Sequence, residues 1–345
     1  MHEIALNWFS TGVIELRLRR RDSSASWSVM ATVESVILGL LMVLFSSVIL
    51  VLNISVLWII ARNSEFVIHS SYKFMLLMGF FDVCQTTVHL FTGVFTIFQW
   101  EAYHWIYKIL GMMLSPSYEA YNFTTVLLAF NRFVLLCWSS KEHQIFSKTG
   151  ILCWVLLTLL IFVIYSGVQV TGNIYTFFSV HNYKWTYDFT LPWSKRRLEI
   201  VFYYQLAGIF LAWAIYIAIA VNLLKYRNEI GSAARTKANR NILLQAFVII
   251  VYCSALNFLW HKGHILFDSG KILNYIMNLM WIGNSGLSTF LCVFMNKRVR
   301  VKVAVLLRLK FFTKPVLFTS TSSAKYKTDV LWRKNSQRQN YVSGA

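Results

Sequence analysis

The segment Leu127-Leu128-Ala129-Phe130-Asn131-Arg132-Phe133-Val134-Leu135-Leu136 is an apolar run that carries an amide and a guanidinium on adjacent residues. An arginine at the centre of a membrane helix costs about 2.5–3.5 kcal/mol on insertion scales, so such residues lie near an interface or serve a function. Trp138 and the polar Ser139-Ser140-Lys141 follow, which indicates a membrane boundary close to Arg132. There the side chain can extend to the interface, or it can turn inward and hold a neighbouring helix end.

The composition of the chain is typical of a membrane protein. Among its 345 residues, 57% are hydrophobic and 14% are charged, and the mean hydropathy is +0.53. A soluble domain carries about 25% charged residues. The net charge of +19 raises the hypothesis of nucleic-acid binding. The basic residues cluster between apolar runs, as in cytoplasmic loops, and they form no single basic face, so we expect no nucleic-acid partner.

Seven apolar runs are long enough to cross a bilayer, which takes about 20 residues of helix. Because lipid offers no partner to an unpaired peptide group, and because the runs do not alternate as barrel strands do, we expect helices. The runs cover approximately residues 36–60, 73–98, 106–138, 149–171, 199–225, 241–261 and 272–295. The sequence therefore predicts an all-α membrane protein with a seven-transmembrane helix bundle, embedded in the lipid bilayer.

The distribution of basic residues predicts the orientation of this bundle. With the amino terminus outside, seventeen lysines and arginines fall in the inner segments and seven in the outer connecting loops. Cytoplasmic loops carry such an excess, so we expect the N-terminus outside and the C-terminus inside. Arginines near residue 20 reduce the contrast without reversing it. The outer seven are Lys108, Lys184, Lys195, Arg196, Arg197, Lys262 and Lys271.

Three parts follow along the chain. Residues 1–35 form an extracellular N-terminal segment, and the true start is either Met1 or Met30. Residues 36–312 form the seven-helix domain. It ends in a basic and apolar stretch that begins at Asn296 and predicts a short amphipathic juxtamembrane helix on the anionic inner leaflet. Residues 313–345 are polar and predict a disordered cytoplasmic tail.

Catalytic and metal-binding classes find little support. The histidines do not form a pair with a carboxylate base at helical spacing, and no glycine-rich phosphate loop is present. The cysteines lie inside apolar runs without metal-ligand spacing, so we expect buried thiols, no cofactor and no enzyme. These cysteines are Cys84, Cys137, Cys153, Cys253 and Cys292.

The longest connecting loop, at about residues 172–198, is rich in aromatic side chains. Such a loop can fold over the mouth of a cavity, or it can lie among the lipid headgroups as an aromatic belt. The sequence alone leaves both alternatives open. The aromatic residues are Tyr175, Phe177, Phe178, Tyr183, Trp185, Tyr187 and Trp193.

Three polar residues fall at similar depth in different helices. Asp82 lies in the middle of the second run, Asn53 in the first and Asn284 in the seventh. A carboxylate and two amides can satisfy one another between helices. We interpret them as a polar hub, which either repacks during switching or serves as a static hydrogen-bonded clamp.

Glu119 lies 13 residues before Arg132, about 20 Å away along a helix. An unpaired carboxylate at that depth is costly, so it is protonated, paired, or reserved for a ligand. Structural hydrogen bonding and ligand contact both remain open. Together with its expected neighbours, Glu119 forms a candidate ligand pocket. These neighbours are Tyr118, Gln85, His89, Gln205, Asn278 and Trp281.

The order of three motifs resembles a known family. Residues 71–82 (SYKFMLLMGFFD) resemble the start of the second helix in nematode serpentine chemoreceptors of class T and the related class X. Residues 128–132 (LAFNR) resemble their arginine motif, and residues 296–300 (NKRVR) resemble the start of their juxtamembrane helix. The resemblance covers about residues 36–312, and class T is the better match.

This resemblance implies a G-protein-coupled chemosensory receptor in the plasma membrane, often in a sensory cilium. It implies a small-molecule odorant or chemical cue as ligand and a heterotrimeric G protein as partner. Asn131 and Arg132 would be the switch that couples to the G protein, and Asn53, Asp82 and Asn284 the hub. Residue 285 is serine where rhodopsin-like receptors have proline, which argues against an ordinary opening of the sixth helix.

Two rival classes of membrane protein remain as alternatives. A transporter needs inverted repeats and broken helices at the midplane, and neither is apparent in the seven unequal runs. A ligand-gated channel of the insect odorant-receptor kind would place the amino terminus inside. Neither the ligand nor the oligomeric state follows from the sequence.

Overall fold

A computed structural model describes residues 32–225, 233–266 and 270–308; the side chains of residues 233–243, 246 and 264–266 are excepted. Nearly all of the predicted N-terminal segment, the question of its start, and the predicted C-terminal tail lie outside these residues. Within them, the seven predicted runs are all helical. The long helices are α1 Val33–Arg62, α2 Ser70–Phe98, α3 His104–Cys137, α4 Lys148–Val170, α5 Ser194–Lys225, α6 Ala233–Leu266 and α7 Lys271–Met295.

Shorter elements connect them. Helical turns lie at Ser64–Val67, Ser139–Lys141 and Glu142–Ile145, and α8 at Lys297–Leu306 follows α7 directly. The juxtamembrane helix is therefore present, although its described part ends before Phe312. Helix α6 begins at Ala233, ahead of the apolar run predicted at 241–261.

The helix ends follow local capping chemistry. Thr32 begins α1, because its hydroxyl accepts a hydrogen bond from the backbone N–H of Ser35 at 3.1 Å. Ser147 begins α4 in the same way, with the N–H of Gly150 at 3.1 Å. Both capping residues precede the apolar runs predicted at 36–60 and 149–171. The caps therefore explain why each helix starts before its apolar part.

The helices match a membrane-spanning protein in length and composition. Among the described residues, α1, α2, α3, α4, α5 and α7 are each long and apolar enough to cross a membrane. The sixth helix is long, but its apolar part is shorter and covers 247–263. This difference agrees with the polar residues at its start.

The prediction of an all-α fold needs one correction. The chain between α4 and α5 contains two strands, β1 Thr176–Ser179 and β2 Lys184–Tyr187, which pair as an antiparallel hairpin. Phe178 lies opposite Trp185 in this register. Sequence patterning missed the hairpin because each strand has only four residues, too few for a clear alternation.

The hairpin packs into one end of the helix bundle. Phe178 and Trp185 are 1% and 4% exposed and belong to a core cluster with Leu110, Leu114 and Trp281. We call the end of the bundle that contacts the hairpin the hairpin end. The opposite end, near Cys137 of α3, is the α8 end. The loop thus covers the bundle mouth, as the first alternative had it, while Phe189 and Trp193 stay 39% and 46% exposed.

Close approach of α1 and α2 depends on glycine. A Cβ atom added to Gly39 would lie 2.6 Å from the backbone nitrogen of Ile97, and one added to Gly93 would lie 2.9 Å from that of Val43. Any side chain there would push the two backbones apart.

In the middle of the bundle, α3 contacts α2, α4 and α5, so its buried polar residues face several helices.

Candidate ligand site and signalling switch

Trp281 of α7 is the centre of an aromatic and polar group at the hairpin end. Its indole N–H donates to Gln85 Oε1 at 2.9 Å. The rings of His89 and Tyr118 lie edge-on at centroid distances of 5.3 and 5.5 Å. The Tyr118 hydroxyl also accepts a hydrogen bond from Asn257 Nδ2 at 3.0 Å. Four of the predicted pocket residues are therefore adjacent, and Asn257 is a neighbour that the sequence did not single out.

Asn278, another of the predicted pocket residues, bonds to the hairpin. Its side-chain amide donates to the backbone carbonyl of Tyr183 in the hairpin. Trp185 adds a second tie, since its indole N–H donates to Thr92 Oγ1 at 3.2 Å. These two bonds hold the hairpin to α7 and α2, so the hairpin closes over the group around Trp281.

Glu119 is 1% exposed and belongs to a second polar group. Gln205 Nε2 of α5 donates to its Oε1 at 2.8 Å, as the sequence suggested. Gln205 Oε1 in turn lies 3.3 Å from His261 Nε2 of α6, and the Tyr204 hydroxyl donates to the backbone carbonyl of Glu119 at 3.2 Å. Glu119 Oε2 has no hydrogen-bond partner among the described residues.

Arg197 joins this second group and was not predicted there. Sequence analysis counted it in an outer loop, but α5 begins at Ser194 and Arg197 is 5% exposed. Its guanidinium donates to Ser115 Oγ at 3.4 Å and stacks over the Tyr165 ring at 4.1 Å. One signal was available, since Arg197 and Gln205 are eight residues apart and therefore lie on one helical face.

A groove elsewhere on the bundle is a poor candidate for a specific site. It has a volume of about 510 Å³. Its lining has no charged or amide side chain, so it lacks the few polar groups that orient a small ligand in a typical pocket. The lining residues are Phe123, Val126, Leu127, Phe130, Phe133, Trp154, Leu211, Ala214, Ile215 and Ala218.

The predicted hub residues are all fully buried, but the two amides bond to groups outside the hub. Asn53 Nδ2 donates to the backbone carbonyl of Ser285 at 2.9 Å, and Asn284 Oδ1 accepts from the Cys253 thiol at 3.3 Å. Both carboxylate oxygens of Asp82 have no hydrogen-bond partner among the described residues. The three side chains thus occupy similar depth without bonding to one another.

The predicted switch residues lie at the α8 end of α3. Asn131 Oδ1 accepts from Ser71 Oγ at 2.6 Å and its Nδ2 donates to Ser70 Oγ at 2.8 Å, both at the start of α2. Arg132 is 6% exposed, and its guanidinium donates to the Tyr216 hydroxyl of α5 at 3.2 Å. Of the two positions open to Arg132, it therefore takes the inward one.

Charged contacts also tie α8 to the turn after α1. Lys302 bonds to Asn63 and to Glu65, and Arg298 lies 3.7 Å from Glu65. Asn296 Nδ2 donates to the Tyr72 hydroxyl at 2.7 Å. The basic side chains of α8 thus partly face the protein, in addition to any contact with anionic lipid.

Burial shifts the pKa values of titratable groups in the hairpin loop. Burial disfavours the charged ammonium and lowers the pKa of Lys184. Burial, with smaller contributions from the negative charges of Asp188 and Glu101, raises the pKa of Tyr175 to about 12. Tyr175 therefore stays neutral at physiological pH.

Comparison with solved structures places the fold among known ones. The crystal structure of squid rhodopsin superimposes with a TM-score of 0.66 over 84% of this chain and 90% of that chain. The sequences are 12% identical, so the likeness concerns the fold alone. The seven helices described above are thus arranged as in the rhodopsin-like seven-helix receptors.

The family follows from sequence. Residues 5–315 match the family described as serpentine type 7TM GPCR chemoreceptor Srt, and the chain belongs to this family. It is therefore a multi-pass membrane protein and a G-protein-coupled chemosensory receptor, and its family is one of receptors. The assignment agrees with the class T resemblance, and a transporter finds no support. A search of curated proteins gave no match.

Proposed function

We propose that this receptor binds its small-molecule ligand at the hairpin end, between Glu119 and Trp281. The observation that carries the proposal is a chain of polar contacts that links three helices, from Glu119 of α3 through Gln205 of α5 to His261 of α6. Its Oε2 is buried and lacks a partner among the described residues, although a carboxylate in an apolar setting needs one. The aromatic group of Tyr118 and Trp281 is adjacent and supplies apolar contact area.

We further propose the orientation in which the amino terminus and the hairpin face outward. The excess of basic residues on the α8 side supports it. In this orientation a chemical cue reaches the site from outside, and Arg132 lies at the inner face. The plasma membrane, in particular that of a sensory cilium, is the proposed location.

Signal transmission is proposed to be a population shift. Ligand at Glu119 contacts α3, α5 and α6 together, so it can favour one arrangement of these helices over another. A change from 1:99 to 99:1 between two states needs about 5.5 kcal/mol of differential binding. In the active state Arg132 would leave Tyr216 and bind backbone carbonyls of a heterotrimeric G protein, as an arginine fork can.

The orientation is tested with epitope tags at both termini of the receptor in intact cells. We expect antibody to reach the amino-terminal tag without permeabilisation and the carboxyl-terminal tag only after it. An inaccessible amino terminus would favour the channel alternative and remove the proposed route to the site.

The site is tested by calcium imaging of cells expressing the receptor against a panel of odorants. Glu119→Gln keeps an acceptor for Gln205 but removes the charge, and we expect about a tenfold rise in the half-maximal concentration of active compounds. The matched control is Glu199→Gln, an exposed carboxylate of the same region. Unchanged midpoints for every active odorant would remove Glu119 from the site.

A further inference from the structure

Two opposite charges are buried close together without forming an ion pair. Glu119 and Arg197 are 1% and 5% exposed. Arg197 bonds to Ser115, which precedes Glu119 by four residues and therefore lies about 6 Å away along α3. Even so, the ion pairs formed by the described residues do not include one between these two side chains.

Each of the two groups has one atom that lacks a partner. Glu119 Oε2 accepts no hydrogen bond and Arg197 Nε donates none among the described residues, and both atoms are buried. Gln205 donates to the other carboxyl oxygen of Glu119, and Ser115 accepts one hydrogen bond from the Arg197 guanidinium. An acceptor atom on α3 and a donor atom on α5 are therefore available to an added molecule at this site.

From this juxtaposition of Glu119 Oε2 and Arg197 Nε we propose that the receptor is selective for dipolar small molecules, such as amino acids. The ligand donates a hydrogen bond to Glu119 and accepts one from Arg197. The inference rests on the proposed ligand site and specifies the chemical class that the site takes.

Charge balance favours this class over ligands with a single charge. The site holds one carboxylate and one guanidinium, so a ligand with a separated ammonium and carboxylate pairs both and adds no net charge. An amine alone would leave the guanidinium unpaired, and a carboxylate alone would be placed beside Glu119 with its like charge. Leaving one buried charge without its partner is costly, whereas pairing both satisfies each.

Purified receptor provides the test. Its thermal unfolding is measured with four series of probes on the same aromatic and alkyl bodies: amino acids, amines, carboxylic acids and hydrocarbons. We expect the amino-acid series to raise the unfolding temperature most. Glu119→Gln and, separately, Arg197→Lys should each weaken amino-acid binding about tenfold while leaving any hydrocarbon binding unchanged. Arg197→Lys keeps the positive charge, so the variant should still fold.

The outcomes separate the inference from the function on which it rests. If amino acids produce no shift, or if both variants lower all series equally, the proposal is overturned and the two charges serve stability only. A different outcome is that single-charge or apolar compounds cause signalling in cells and that neither substitution changes this response. That result overturns the proposed ligand class but leaves the receptor function intact. Amino-acid binding that both variants weaken supports the class, even where those probes raise no calcium signal.

Discussion

Glu119, near the middle of α3, and Arg197 of α5 are both buried, and each has one polar atom unpaired among the described residues. At the α8 end of α3, by contrast, both polar atoms of the Asn131 side chain are bonded to serines of α2. The first arrangement leaves hydrogen-bonding capacity for an added molecule. The second fastens two helices together. Helix α3 thus contributes to an incomplete site near its middle and to a closed contact at its α8 end.

The comparison suggests how the two regions communicate. Helix α3 is continuous from His104 to Cys137, and Glu119 and Arg132 are 13 residues apart on it, about 20 Å. Helix α5 runs alongside and supplies a partner in each region, Gln205 to Glu119 and Tyr216 to Arg132. A ligand that changes how α3 and α5 pack in one region can therefore alter the contact in the other.

The largest expected effect concerns the hairpin end. Trp185→Ala removes a side chain that is 4% exposed and bonded to Thr92, so we expect a loss of about 3–5 kcal/mol in the free energy of unfolding. Trp193→Ala, at a position 46% exposed, is the control and should change it little. Equal effects of the two substitutions in denaturation of purified receptor would show that the hairpin does not stabilise this end.

The next effect concerns the switch. Arg132→Ala should reduce agonist-dependent signalling by about 5- to 150-fold, the range of typical allosteric coupling, while the receptor still reaches the cell surface. Calcium responses and surface labelling are measured in the same cells, with the exposed Lys148→Ala of the same end as control. Full signalling by surface-expressed Arg132→Ala receptor would refute a coupling role.

A smaller effect is expected for the closed contact at Asn131. Asn131→Ala removes both hydrogen bonds to α2 and leaves two serine hydroxyls without their partner, so we expect a loss of about 1–3 kcal/mol in unfolding free energy. A double-mutant cycle with Ser70→Ala isolates the bond at 2.8 Å. Strictly additive effects would mean that this bond contributes no coupling between α2 and α3.

The smallest effect is expected for the charged contact of α8. Glu65→Gln removes the charge that faces Lys302 and Arg298, at a side chain that is 40% exposed. Water and salt screen such pairs, so the loss should stay below about 1 kcal/mol and shrink as ionic strength rises. A large, salt-independent loss of unfolding free energy would show that the contact is part of the packed structure.

Much of the fold was predictable from sequence, because membrane helices need long apolar runs and the runs are unambiguous. Sequence patterning failed at the hairpin, because strands of four residues are too short to show a clear alternation. Arg197 was misjudged for a related reason. Basic residues near a helix start resemble a loop, and only the buried face of α5 distinguishes Arg197 from the exposed Arg196.

The candidate site, like the fold, was predictable from the sequence only in part. The sequence singled out Glu119, Gln205, Trp281 and Gln85 because polar groups inside apolar runs are costly and therefore conspicuous. It could not pair them, since partners lie on different helices and their meeting depends on helix rotation and tilt. The hub illustrates this, because Asn53 and Asn284 bond to groups outside it, and the Asp82 carboxylate has no hydrogen-bond partner among the described residues.

The sequence by itself determined that the chain forms seven membrane-length helices, that Asn131 and Arg132 lie near one end of the third, and that Glu119 lies some 20 Å from them. Only the tertiary structure decided that Arg132 turns toward Tyr216, that Trp185 enters the bundle, and that Arg197 lies beside Glu119. The physical reason is that helix formation in lipid is dictated by local composition. Side-chain partners, in contrast, depend on how separate helices pack, which no single run encodes.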